Sequence, residues 1–450
     1  MSHLNNAQED LANTALKWSN LIIVTGIQWW DEGKGKAVSS FQWQKIRYIV
    51  WPNGWGNAGH TAIYKWKKLD FHELPGGSII EGATIYLAKG KVIQLSTLGT
   101  EMQKLSDNNI SLQWKIIIGG WAQVVFKWFQ QAIDKHIEAL RWSTAVGTTL
   151  KWIGPAYSAE ALRIGLTTKE LVTMNKEQLT DRVQLIVWLY PFLDKDTLLS
   201  EVFEEQKKLK DWIKQWIVQI DFDDMLINTA YKKWDTILAE QSQSFLLGKE
   251  WGAYPNCTSS DTSINGLLSY MNLPYNSEPI VVGAMKAIMS KVWGGLLATQ
   301  MGREPSLIEF EKKFADNTWE KGVTTGRLRQ LWWVDLPALR YVQSINPLDI
   351  LVVTKGDVLC ILAQAQVKAW LDPEMRFYQN FRKPNSKDKP RTSWVTTDPM
   401  MVGTYTSIRL SSKSTPINIA HFGSKIRKCL EYDGPIYFGT GPGEEEIVRF

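Results

Sequence analysis

Residues Ile22 to Val38 read IIVTGIQWWDEGKGKAV. Ile22, Ile23, Val24 and Thr25 are β-branched and stop at Gly26, the pattern of an interior strand of a parallel sheet. A polar turn follows, with Asp31 and Glu32 ahead of Gly33, Lys34, Gly35 and Lys36. Glycines let backbone amides turn toward anionic oxygens, and a lysine supplies a point charge to phosphate. The common phosphate loop ends in Gly-Lys-Ser/Thr. Here Gly35 follows Lys34, and the sixth position after Gly26, where that loop has its lysine, is Glu32. Residues 36–46 read as a helix, so the turn falls at the carboxyl end of a strand, where open α/β sheets bind ligands. An Asp on such a turn is able to hold Mg²⁺ or to accept a proton.

Further strand-then-turn units follow the first: KIRYIVW ending at Pro52, KIIIGG, and LDILVVTKGD. Helical spacing dominates from Phe126 to Arg141 and from Glu201 to Ala239. In the latter, Val202, Leu209, Ile213, Trp216 and Ile217 share one face and Lys and Glu the other. The fold class is α/β: a central, mostly parallel sheet with helical insertions, helix-rich over about 126–240. NFRKPNSKDKPRTS is a polar, proline-containing segment, read as a flexible loop over about 380–400.

The chain has 450 residues, 44% hydrophobic and 22% charged, ordinary for a globular protein and enough for more than one core. Its formal charge of +5 suits anionic small substrates and does not argue for nucleic acid. Three scattered cysteines form neither a disulfide framework nor a thiolate metal site. With no apolar run of membrane-spanning length and no leader pattern in MSHLNNAQED, a cytoplasmic location is expected. The 23 tryptophans are unusual, and packing is their first expected role, with base stacking open to a minority.

Four other segments carry chemistry. In GWGNAGHT, Asn57, Gly59 and His60 share a flexible turn, and His60 is the one histidine of five in such a setting. An imidazole donates to a phosphoryl oxygen or carries a proton near neutral pH, so His60 is the catalytic choice. In TKGD, the Asp357 carboxylate suits the two N–H donors of guanine while the Lys355 stem covers the base, which favours GTP over ATP. GVTTGRLR offers amides, hydroxyls and two arginines to a carboxylate or phosphate. VGTTLKWIGPAY is another glycine- and hydroxyl-rich turn. So many anion-ready turns imply at least two anionic ligands.

In this order, GIQWWDEGKGK, GNAGHT, GTTLKWIGPAY, AEQSQSFLL…YPNCTSS, GVTTGRLRQLWWVDLPALR and TKGDVL resemble the adenylosuccinate synthetase family, from about Leu21 to Thr440. The resemblance implies an N-terminal extension over 1–20 and a synthetase-like domain over 21–450, with a sheet of the P-loop-NTPase type. It implies a homodimer and GTP-dependent ligation of L-aspartate to IMP with Mg²⁺, through 6-phosphoryl-IMP, giving adenylosuccinate, GDP and phosphate.

Carried over by position, Asp31 is the base for the IMP N1 proton and a Mg²⁺ ligand, and the Gly59 carbonyl is a second ligand. His60 steadies the transferring phosphoryl group, and Gln243 joins the catalytic set. Asn57, Thr149 and Thr258 fall to substrate, and Arg163 reaches the IMP phosphate of the neighbouring subunit. Thr325 and Arg327 grip aspartate, with Arg329 a shared contact. Glu32, Gly33, Lys34, Gly35 and Lys36 form the phosphate turn, and Lys355, Asp357 and Gly441 meet guanine.

The chain departs from the family pattern in having Trp30, Trp152, Trp293 and Trp332 where the family has glycine, and Lys151 for an arginine. The family's EGAQG is EQSQS here. Two other readings stay open: a 2-aminoadenylosuccinate synthase-like enzyme using dGMP, disfavoured by the retained Asp31, and a non-catalytic guanine-nucleotide-binding homologue.

Overall fold

The computed structural model describes residues 5–29, 32–54, 59–65, 67–113, 115–141, 153–252, 254–291, 299–318, 320, 328–382, 402–441 and 446–450. Asp31, Asn57, Thr149, Thr325, Arg327, Lys151, Trp30, Trp152 and Trp293 lie outside these residues, as does nearly all of the 380–400 segment. The chain divides into two compact units: Met1–Phe41 with Ser244–Cys257 and Ile280–Phe450, and Gln42–Gln243 with Thr258–Pro279.

In the first unit, Leu21–Gly26 pairs in parallel with Ile280–Lys286, then Ile350–Thr354, then Ile436–Gly439, and the antiparallel Ile447–Arg449 closes that edge. Every residue of Leu21–Gly26 and of Ile350–Thr354 is buried, as strands covered on both faces require. The core continues through Trp29, Met285, Trp332, Trp333, Phe377 and Phe422. The N-terminal helix Asn5–Leu16 belongs to this unit, and its Asp10 accepts from Tyr437 Oη at 2.6 Å and from Arg449 Nη1 at 2.8 Å.

In the second unit, Ile237–Glu240, Tyr48–Gly54, Thr84–Ile93, Ile116–Gly119 and Val218–Asp221 run in parallel in that order. Helices Lys176–Leu189 and Lys195–Lys214 pack on this sheet's core through Leu179, Val183, Ile186, Leu198, Val202 and Leu209. Asn175 with Gln178 forms a capping box and Asp194 accepts from Thr197 N, so both helices start where their N-cap chemistry directs.

Several expectations are corrected. The helix after the phosphate turn is Lys34–Ser39, begun earlier by Gly33 and shorter than 36–46. The second strand runs past Pro52 to Gly54, with a register shift between Trp51 and Asn53 that accommodates the missing N–H. His60 is the first residue of the strand His60–Tyr64 rather than part of a turn. Trp332 lies in the strand Gln330–Trp332, buried against Trp29 with ring centroids 6.2 Å apart. The helix Lys195–Lys214 ends before Trp216, which is exposed instead of sharing the face of Val202 and Leu209. Packing accounts for Trp29, Trp51, Trp332 and Trp333, but Trp18, Trp43, Trp188, Trp234 and Trp370 are also largely exposed.

Candidate functional site

In the first unit, the strand Leu21–Gly26 delivers the phosphate turn. Gly33 is the N-cap of the helix Lys34–Ser39 with φ 76°, a left-handed conformation, and a Cβ there would lie 3.1 Å from the Thr354 methyl. Only glycine meets both conditions without strain. Lys34 and Glu32 are buried, with Lys34 Nζ 3.5 Å from Glu32 Oε2, and Glu32 Oε1 has no hydrogen-bond partner.

The base motif locks onto this turn. Thr354 Oγ1 donates to the Glu32 carbonyl at 2.7 Å, so the residue before Lys355 is tied directly to the phosphate turn. Gly356 N donates to the Gly439 carbonyl at 2.8 Å, and Lys36 Nζ donates to the Gly441 carbonyl at 3.4 Å. Glu32, Gly33, Lys34, Gly35, Lys36, Lys355, Asp357 and Gly441 are therefore brought together by strand ends. Burial raises the Asp357 carboxyl above its ordinary range, and Glu446 adds to the rise against the pull of Lys355.

Arg329, which the sequence assigned to a shared ligand contact, is buried with its Nη1 2.9 Å from Glu320 Oε2. Glu320 also takes Lys286 Nζ at 3.2 Å, Ser290 Oγ at 2.9 Å and the Lys355 ammonium. Burial alone would raise this carboxyl, but Lys286, Lys355 and Arg329 together hold it well below the usual carboxylate range. Sequence reasoning missed Glu320. Its signal was a lone acid two positions ahead of Gly322, without spacing that connects it to Lys286 or Lys355.

In the second unit, His60 Nδ1 is hydrogen-bonded to Glu240 Oε1, while Glu240 Oε2 accepts from Gly76 N at 2.7 Å. Both residues are buried, and His60 Nε2 has no hydrogen-bond partner. The Trp51 ring lies 4.5 Å from the imidazole, and the Lys91 ammonium sits 4.3 Å from the Trp51 centroid, paired with Glu73 at 2.9 Å. Burial pushes the Glu73 carboxyl up to about 7, with Glu101 adding to the rise against Lys91. Trp51 Nε1 bonds Ser242 Oγ, which bonds the Asn53 carbonyl. Asn53 Nδ2 reaches Ser260 Oγ at 3.3 Å, and Ser260 Oγ donates to Gln243 Oε1 at 3.3 Å. A hydrogen-bonded chain thus runs from Trp51, whose ring packs on His60, to Gln243.

Thr258, two residues from Ser260, is buried with Oγ1 unpartnered. Arg163 is separate from this chain: it is exposed, in a left-handed conformation at φ 61°. Glu240 was also missed, being the first letter of the quoted EQSQS run with nothing local to mark it as the partner of His60. Buried polar groups are normally paired. Glu32 Oε1, His60 Nε2 and Thr258 Oγ1 break that rule on residues selected for ligand contact or catalysis.

A glycine–lysine turn bonded to a Lys-Gly-Asp run in the first unit, and a carboxylate-held histidine in the second, are features found in nucleotide-dependent enzymes. The family model described as adenylosuccinate synthetase matches residues 23–428. The adenylosuccinate synthetase of Drosophila willistoni is 32% identical over 360 residues, covering 79% of this chain and 77% of that protein. That of Drosophila persimilis is 30% identical over 449 residues, covering 96% and 94%. Among solved structures, fully ligated adenylosuccinate synthetase from Plasmodium falciparum superposes with a TM-score of 0.82 at 26% identity, covering 96% of this chain and all of that one. Succinoaminodeoxyadenylate synthetase of cyanophage S-2L, bound to dGMP and dATP, shares the fold at a TM-score of 0.60 and 17% identity, covering 96% and 95%. The chain belongs to the adenylosuccinate synthetase family, ligases of purine nucleotide biosynthesis.

Proposed function

We propose a division of labour among this chain's residues for its reaction. The chain catalyses the GTP-dependent joining of L-aspartate to IMP, a carbon–nitrogen ligation of AMP biosynthesis. The observation that carries the assignment of residues is the bond from Thr354 Oγ1 to the Glu32 carbonyl, which fixes the base motif to the phosphate turn.

The IMP 6-oxygen is a poor leaving group. Asp31 removes the N1 proton, O6 attacks the γ-phosphorus of GTP, and the bond to GDP breaks. The aspartate amine then attacks C6, loses a proton, and phosphate departs. Gly33, Lys34 and Lys36 cradle the phosphates, and His60, held by Glu240, offers Nε2 to the transferring phosphoryl group. Gln243 and Thr258 orient IMP, with Asn57 and Thr149. Arg163, exposed and able to reach outward, serves the neighbouring subunit's IMP phosphate in a homodimer. Thr325 and Arg327 hold the aspartate carboxylates.

The donors here suit Mg²⁺, which takes hard oxygens and keeps few protein ligands beside substrate phosphates. Glu32 Oε1 is such an oxygen, buried without a partner next to Asp31. Among the described residues no cluster of three or more His, Cys, Asp or Glu could hold a metal. The ligands that the family resemblance gives are Asp31 and the Gly59 carbonyl. When bound, Mg²⁺ neutralises phosphate charge.

The test is incubation with IMP, GTP, aspartate and Mg²⁺, wild type beside Asp31→Ala. Wild type forms adenylosuccinate and GDP, and the variant forms neither while keeping its fold. Unchanged turnover in the variant would refute the role of Asp31, and a preference for dGMP over IMP would move the assignment to the aminoadenylosuccinate reaction.

A further inference from the structure

Glu320 stands at the root of the segment that carries Thr325 and Arg327. Its carbonyl accepts from Arg329 N at 2.7 Å, and its own N–H donates to the Ala315 carbonyl at 2.9 Å, so the segment's two ends are pinned to each other by backbone as well as by side chain. The same carboxylate holds Lys355 through Oε1, and Arg329, Lys286 and Ser290 through Oε2. Lys286 Nζ and Ser290 Oγ are themselves 2.6 Å apart, which fixes the carboxylate from below. Lys355 is held in the left-handed region at φ 59°.

We propose that Glu320 is a positioning residue that fixes the Lys355 side chain for the guanine base and joins it to the root of the aspartate-gripping segment. The proposal rests on the reading of Lys355 and Asp357 as the guanine contacts. One carboxylate sets the lysine of the base motif and Arg329, two residues beyond the 321–327 segment, so the two share a single anchor.

The experiment measures KM for GTP, KM for aspartate and kcat in Glu320→Gln, Lys355→Met and the double variant, with Asp357→Asn as reference. Glu320→Gln raises KM for GTP and for aspartate by about tenfold or more each, with a smaller change in kcat. The double variant has a KM for GTP no worse than the poorer single variant, since both remove one interaction. Glu320→Asp keeps the charge and restores most of the loss. Should the glutamine variant not fold, Lys355→Met carries the test, with KM for GTP raised. Unchanged KM values in folded Glu320→Gln, an unchanged KM for GTP in Lys355→Met, or additive effects in the double variant, would overturn the proposal. If Asp357→Asn leaves nucleotide preference unchanged, it is the guanine reading that fails.

A second observation is independent of the first. Three helices end in a complete Schellman motif whose left-handed C′ residue is tryptophan. At Trp216, with φ 58°, the Trp216 N–H donates to Ile213 O and the Ile217 N–H to Trp212 O, both at 3.1 Å. At Trp234, with φ 62°, the corresponding bonds are Trp234 N to Tyr231 O at 3.1 Å and Asp235 N to Ala230 O at 3.0 Å. At Trp370, with φ 59°, they are Trp370 N to Val367 O at 3.1 Å and Leu371 N to Gln366 O at 2.9 Å.

This position belongs to glycine, with asparagine the usual substitute; Asn109 and Asn272 fill it in two other helices of this chain, and Arg163 and Glu431 in two more. The three residues are 54%, 69% and 96% exposed, so burial does not compensate the backbone strain. We infer that these tryptophan positions are encoded by UGA, a codon read as glycine, tryptophan or stop according to the cell's genetic code, and that the chain made in its cell of origin carries glycine there.

Mass spectrometry of the protein from that cell decides it. The tryptic peptide Ala369–Arg376 appears lighter by the difference between a tryptophan and a glycine residue if position 370 is glycine. Finding it with tryptophan would overturn the inference.

Discussion

Glu240→Gln is the most informative single change outside the phosphate turn. Glu240 serves two donors at once, His60 Nδ1 through Oε1 and Gly76 N through Oε2, in a pocket where it has no exposure. A glutamine has one acceptor oxygen and presents N–H on the other side, so either one of the two donors is left unpaired or His60 turns to the tautomer in which Nδ1 accepts. Hydrogen bonds to charged groups contribute about 1.5–3 kcal/mol. If that orientation of the imidazole is used in phosphoryl transfer, kcat/KM falls about 10- to 150-fold. A buried orphan donor costs about 1–3 kcal/mol of stability as well. The assay follows aspartate-dependent adenylosuccinate formation at saturating IMP while varying GTP, with a melting curve on the same preparation. A folded variant that keeps kcat/KM within about threefold of wild type would refute the claim that Glu240 sets the working atom of His60.

Asp335 caps the helix Leu336–Ile345 by accepting from Ala338 N at 3.0 Å, and its Oδ2 is buried without a partner. Burial pushes its carboxyl up from 3.8 to about 7, against the pull of the cap and of Arg340. The folded chain therefore binds this proton more tightly than the unfolded one, and the stability it contributes is full below pH 3.8 and lost as pH rises through about 7. Asp335→Asn keeps the cap oxygen and removes the ionisation, so urea melts between pH 5 and pH 8 should show a flatter pH dependence, and an unchanged slope would count against it. Asp357→Asn should shrink the preference for GTP over ATP by at least about 100-fold, measured as a ratio of kcat/KM, because two guanine donors lose their carboxylate. Replacing Trp216, Trp234 and Trp370 by glycine should stabilise the chain by about 1 kcal/mol at each site, read as a higher melting temperature, since each C′ residue is left-handed.

The strands were legible because Ile22 to Thr25 and Ile350 to Thr354 are continuous β-branched or apolar runs ending in turn residues, and a strand buried on both faces has no other sequence form. The phosphate turn and the base motif could be proposed from the sequence because the chemistry they offer is local, Gly33 and Lys34 standing in one run and Lys355 and Asp357 in another. Their connection could not be, since the Thr354 to Glu32 bond spans 322 positions and comes from strand order alone. Glu240 and Glu320 were missed for the same reason. A carboxylate that works through a distant histidine or lysine leaves no pattern near itself. His60 was assigned to a turn because glycines precede it, yet pairing of His60 with Phe71 makes it the start of a hairpin strand. Trp216 was placed on a helix face because periodicity does not register where a Schellman motif stops the helix.

The central claim is that IMP is activated by phosphorylation at its 6-oxygen before aspartate attacks. The direct measurement supplies IMP labelled with oxygen-18 at that position, together with GTP, aspartate and Mg²⁺, and reads the isotope in the released phosphate. The account predicts that the label passes from IMP into phosphate with each adenylosuccinate formed. Phosphate free of the label, with adenylosuccinate still produced, would contradict it.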